Sequence, residues 1–168
     1  MLRQTQFSRI TVTAGLIGCL FHFNAQAAGP LGVPLTGTFT YQDSIAPRQD
    51  TNCPLAGMTV GTGTVSHLGK SALVSTACIT FTNGIYSIVS STITLTAANG
   101  DMLFGTYTGR FHPTNVPYIY EMNDGTLTIT GGSGRFKNAT GSATLQSSEN
   151  LTTGEGTISA IGSISYPH

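Results

Sequence analysis

Tyr86 to His112 reads YSIVSSTITLTAANGDMLFGTYTGRFH. Two runs that alternate apolar with polar side chains flank Asn99-Gly100, a pair that accepts the positive φ angles of a tight hairpin. Alternation with a period of two sends successive side chains to opposite faces of a half-buried strand. Working outward, the same pattern recurs along most of the chain. Strands are expected near 35–41, 58–67, 71–82, 86–97, 102–112, 118–130, 142–149 and 155–166, joined mostly by links of two to six residues. Asn83-Gly84, Asp124-Gly125 and Gly154-Glu155 add turn or bulge signals. From residue 28 onward the chain holds 24 Thr, 14 Ser and 19 Gly, a composition of strands and turns. One helical turn is expected, from Ser133 to Ala139. The fold class is therefore all-β. Eight sequential strands with short links suit an eight-stranded antiparallel up-and-down barrel, which leaves no exposed sheet edge. A β-sandwich is the alternative, because periodicity does not by itself show closure. Gln42 to Gly57, carrying Pro47, Cys53 and Pro54, reads as the main irregular insertion. By alternation Phe39, Tyr41, Ile79, Phe81, Leu127 and Ile129 fall on the inner wall.

The chain has 168 residues, of which 8% are charged, and its formal net charge is zero. Arg3 and Arg9 precede the apolar stretch Ile10 to Phe23, and Ala25-Gln26-Ala27 offers small residues at the positions a signal peptidase reads. Residues 1–27 thus read as a bacterial-type export signal cut before Ala28, and residues 28–168 as a single barrel domain, secreted or periplasmic. Leu16-Ile17-Gly18-Cys19 also matches the box at which bacterial lipoproteins are cut and lipidated, although the residues after Cys19 stay apolar. Without the export segment, five basic residues face seven acidic ones. Such a surface lacks the clustered Lys and Arg that nucleic acid or anionic lipid requires. No apolar run reaches membrane-spanning length, so no transmembrane span is expected. Cys53 and Cys78, an even pair in an exported domain, read as one disulfide, with a catalytic thiol as the alternative.

Gly131 to Gly141, GGSGRFKNATG, resembles the GGTGRF-x-x-A-x-G signature of the allene oxide cyclase and dirigent-like barrel proteins. Leu95 to Asp101 is similar to the ladder that precedes the signature in exported bacterial members, and Gly162 to Tyr166 to their last strand. The resemblance spans roughly residues 60 to 166. It implies an eight-stranded barrel with an apolar lumen, a homotrimer as in many plant members, and chemistry on reactive lipids or phenolic radicals without a cofactor. The motif itself carries structural expectations. Gly131, Gly132, Gly134 and Gly141 let the chain leave one strand, turn tightly and enter the next. Arg135 is expected to bind carboxylates or loop carbonyls, and Phe136 to plug one barrel end. No catalytic residue follows from the motif.

Chemistry-bearing residues gather around the fifth hairpin, where Tyr107, Arg110, Phe111 and His112 lead through Pro113 and Pro117 to Tyr118, Tyr120 and Glu121. This patch is a candidate ligand mouth, with Tyr107, Arg110, Tyr118 and Tyr120 as contacts and His112 or Glu121 as proton carriers. The rival reading is a hairpin whose rings cap the barrel and whose charges are solvated. Parity puts Arg110 and His112 on one side, and Tyr107 and Phe111 on the other. His67, His112 and His168 are too scattered for a zinc site, so no metal is expected. Gly69-Lys70-Ser71 lacks the partner glycine at Thr64 and the following helix of a phosphate-binding loop. No G-x-S-x-G elbow is present. The Thr-x-Thr runs are irregularly spaced, as solvent-facing strand positions are and a flat ice-binding array is not. The expected function is binding of a small apolar or aromatic molecule in the lumen. A cofactor-free cyclase, isomerase or radical-coupling guide is the alternative, and a filled structural barrel the third reading.

Overall fold

A computed structural model describes residues 32–167. The expected export signal, its cleavage site and Cys19 lie outside the described residues. Eight strands follow one another, β1 (Val33–Asp50), β2 (Cys53–Val65), β3 (Gly69–Thr82), β4 (Ile85–Ala97), β5 (Met102–Pro113), β6 (Ile119–Gly132), β7 (Thr140–Asn150) and β8 (Glu155–Ser165). Each pairs antiparallel with its sequence neighbours, and β1 pairs with β8 from Val33↔Ile164 to Gln42↔Glu155, closing the barrel. The Thr-rich alternation produces this directly. On β1 Leu35, Gly37 and Phe39 are buried while Thr36, Thr38 and Thr40 are exposed. The inner side chains of all eight strands form one core, including Leu73, Leu95, Leu127 and Leu145.

The stretch from Gln42 to Gly57 differs from the irregular insertion the sequence suggests. It is strand on both sides of the Thr51-Asn52 turn, and β1 stays in register with β2 from Gly37↔Val65 to Pro47↔Leu55. The reason lies in the pairing with β8, which ends at Gln42; the Asp43 amide still reaches the Gly154 carbonyl, and from residue 44 to residue 50 β2 is the one paired strand. A proline on such a free edge removes no ladder hydrogen bond. Phe81 also departs from expectation. It lies beyond the barrel wall, 51% exposed, with its ring 4.4 Å from that of Tyr86.

Cys53 opens β2 rather than sitting in a loop, and is disulfide-bonded to Cys78 on β3 with a Cα–Cα distance of 5.2 Å. The bridge fastens the first residue of β2 to β3, just before their pairing begins at Leu55↔Ile79. Such a bond fits an oxidising compartment. Closing a loop with a sequence separation of 25 removes unfolded-state entropy worth roughly 3 kcal/mol. Replacing both cysteines by serine should lower the urea-unfolding free energy by about that amount. A loss under roughly 1 kcal/mol would show that the bridge constrains little in the unfolded chain.

One barrel end is plugged. After β6, Gly134–Phe136 forms a single 3-10 turn whose Phe136 is fully buried, with the Tyr166 ring 5.0 Å away. Gly134 has φ +57°, and a side chain there would also collide with Asp101, so this position needs glycine. Arg135 leans over the Phe136 ring at 4.9 Å, pairs with Asp101 at 3.4 Å and donates to the His67 carbonyl. The charged clamp thus holds the plug across three hairpin ends.

Candidate lumenal binding site

From the plugged end outward, β1 presents Leu35, Gly37, Phe39, Tyr41, Asp43 and Ile45 to the interior. Around them the inner faces of the other strands enclose a cavity of about 90 Å³ with an almost wholly apolar wall. Polar groups enter it in three places. The Tyr41 hydroxyl lies 2.8 Å from Ser147 Oγ and donates to Glu149 Oε2 at 3.2 Å. Ser147 in turn donates to the Thr157 carbonyl at 2.9 Å. Thr59 donates to Asp43 Oδ1 at 2.8 Å, and Ser75 Oγ sits 3.0 Å from the Tyr107 hydroxyl.

Glycine at 156 makes the first of these possible. Gly156 on β8 is in register with both Tyr41 on β1 and Glu149 on β7. The Tyr41 ring lies across it, where a Cβ would overlap the Cζ and hydroxyl atoms. Gly156→Ala should therefore push Tyr41 off Glu149 and Ser147 at a cost of about 1–3 kcal/mol, typical of overpacking. Thermal unfolding measures the cost, and a tyrosine absorbance titration reports the freed hydroxyl. An unchanged melting temperature would show that the ring is not seated there.

Burial sets the electrostatics. Glu149, 6% exposed, has its carboxyl pushed up to about 7, first by loss of water and then by the charge of Asp43. Burial likewise raises Asp43, Tyr107 and Tyr41, the last also through the charge of Glu149. At neutral pH the lumen thus holds a carboxyl poised between its two protonation states and hydrogen-bonded to a tyrosine. That arrangement can hold a polar ligand group or exchange a proton with it.

The residues singled out in the sequence are divided by strand parity. Tyr107 faces the lumen, as does Phe111. Tyr120 packs edge-on against Tyr86 at 5.4 Å, at the open end. Arg110, His112 and Glu121 point outward, His112 directly opposite Glu121 across β5 and β6. Arg110 is occupied by Asp124, receiving a 2.5 Å ion pair on the surface. Burial acts to raise the Asp124 carboxyl, but the hydrogen bonds and charge of Arg110 hold it below its usual range. Tyr118, 68% exposed, sits in the turn before β6. The lumenal carboxylates Asp43 and Glu149 were absent from the sequence candidates. Their parity with Tyr41 and with Leu145 and Ser147 was the available signal.

No protein-family model matches the chain, and no curated protein matches it. Among solved structures a pterocarpan synthase dirigent protein is similar, with 19% identity over 85% of this chain and 90% of that one, at a TM-score of 0.46. A likeness of that size leaves the function to be read from the lumen itself.

Proposed function

We propose that this barrel binds one small, mainly apolar or aromatic molecule in its lumen. The observation that supports the reading is the open interior. A cavity of about 90 Å³ persists between the inner walls, greasy except where Tyr41, Ser147 and Glu149, Thr59 and Asp43, Ser159, and the Tyr107 hydroxyl enter it. A barrel serving only as structure would fill that space, since voids in cores cost stability. An apolar wall with a few convergent polar groups is the usual lining of small-molecule sites. The protein works outside the cytoplasm in this reading, released by cleavage before Ala28, and carries no cofactor.

Native mass spectrometry of the protein recovered from its own host tests the proposal. A co-purifying small molecule that is lost on denaturation is the expected result. A clean apo mass, together with no uptake of small aromatic probes, would favour a filled structural barrel. The same spectrum reads the cleavage site, separating a chain that starts at Ala28 from a lipidated one that starts at Cys19. It also shows whether three copies associate.

A second reading, a cofactor-free isomerase or cyclase, is favoured by one feature, the Glu149 carboxyl held at about 7. A group of that kind can take a proton and return it within a dry cavity. For such an enzyme Glu149→Gln should lower kcat by about 100-fold or more with little change in KM.

A further inference from the structure

We infer that the lumen selects a cationic ligand, a small primary amine carried on a single aromatic ring, with its ammonium group held between Glu149 and Asp43. The inference rests on the reading of the lumen as a binding site and adds the charge of its occupant. Three observations on the inner wall carry it.

The first is the sign of the wall. Two carboxylates line the cavity, and among the described residues no Lys, Arg or His does. Arg48, Lys70, Arg110, Arg135 and Lys137 are all exposed on the outer surface or beyond the rim, as are His67 and His112. The interior therefore has negative groups with no internal counter-ion. Placing two such carboxylates in one low-dielectric space costs free energy that a neighbouring cation relieves. A neutral guest leaves their repulsion in place, and an anion adds a third negative charge to it.

The second is an unfilled acceptor. Glu149 is 6% exposed, and its Oε2 accepts the Tyr41 hydroxyl. Its Oε1 takes no hydrogen bond from any described residue. It is not sealed in protein either, because no fully enclosed side-chain oxygen lacks a partner. This oxygen therefore keeps accessible surface, and Glu149 lines the cavity, where an ammonium N–H would make a charge-assisted hydrogen bond with it. Asp43, fixed by Thr59, stands on the next inward position of β1 after Tyr41.

The third is the aromatic lining. Phe39, Tyr41, Tyr107, Phe111 and Tyr86 all border the same cavity. Their rings offer faces to an aromatic guest and attract an ammonium that approaches them. The volume of about 90 Å³ lies below the roughly 150 Å³ of an apolar cavity that takes benzene, so a single ring is the largest guest, and it enters only as the wall yields.

Isothermal titration calorimetry of the purified full chain at pH 8 with 2-phenylethylamine, 2-phenylethanol and 3-phenylpropionate tests this. The three probes share a ring and differ in charge. The expected result is that the amine binds at least tenfold more tightly than the alcohol, and that the carboxylate binds more weakly than either. Glu149→Gln should reduce that preference to near unity, and Asp43→Asn should weaken it in the same direction. Circular dichroism confirms that both variants are folded. Equal or tighter binding of the alcohol overturns the inference while leaving the lumen as a binding site. If none of the three binds, the binding reading itself fails with it.

Discussion

Phe136→Ala is expected to lower the unfolding free energy by about 3–5 kcal/mol, the range for emptying a fully packed aromatic site. Phe136 has no exposed surface, closes one barrel end and supports both the Tyr166 ring and the Arg135 guanidinium. Removing the ring leaves a void that the closed wall cannot collapse into, because each strand is held by neighbours on both sides. Typical domains have about 5–15 kcal/mol to lose, so the variant should unfold at much lower urea concentration. Phe136→Leu should retain most of the stability. A loss below about 1 kcal/mol for the alanine variant would mean that the turn merely lies over the barrel and does not plug it.

Stability should also fall as the solution is made less acidic. Glu149 holds its proton to about 7 when folded, against an ordinary value of 4.5. Between those values the folded chain binds more protons than the unfolded one, so unfolding becomes easier as pH rises, and levels off above about 7. The full change from this group alone is about 3 kcal/mol. Burial raises Asp43 as well, which adds a contribution of the same sign. Urea unfolding at pH 5, 6, 7 and 8 should show the decline, and Glu149→Gln should flatten most of it and exceed the parent in stability at pH 8. A parent stability that is flat or rises across this range would show that the carboxyl is solvated, and the lumenal site would lose its main polar group.

Much of the architecture was legible because it depends on local chemistry. Asn99-Gly100 turns the chain between β4 and β5, with the Gly100 amide donating to Ala97 and the Ala97 amide to Asp101. Alternation in β1, β3 and β6 marked Phe39, Ile79, Leu127 and Ile129 as inward, and all four are buried. The long arm of β1 and β2 was hidden because Pro47 and Pro54 signal a break wherever both strand edges are used. Only the register with β8 reveals that one edge is free. Phe81 follows the inward parity of Ile79 yet lies past the rim, a position that depends on where the wall ends.

The site was less legible, since residue type pulled against position. His112, Glu121 and Arg110 carry the chemistry most often associated with active sites, but their parity turns them to solvent. Glu149 and Asp43 look like surface charges in a strand, and buried carboxylates are uncommon. Their environment arises from strands far apart in sequence, with Tyr41 crossing Gly156 to reach Glu149 more than a hundred residues away. Composition alone does not show such an encounter.

The most direct test of a ligand-binding lumen is methyl NMR during titration with 2-phenylethanol and 2-phenylethylamine. Inward methyl groups of Leu73, Ala77, Leu145 and Ile158 border the cavity, while Ala72, Val74 and Ile161 are exposed on the outer wall. Saturable shifts confined to the inward set, with the outer set unmoved, are the predicted result. Shifts on the outer wall alone, or none at saturating probe, would contradict it and leave a barrel whose interior is closed to guests.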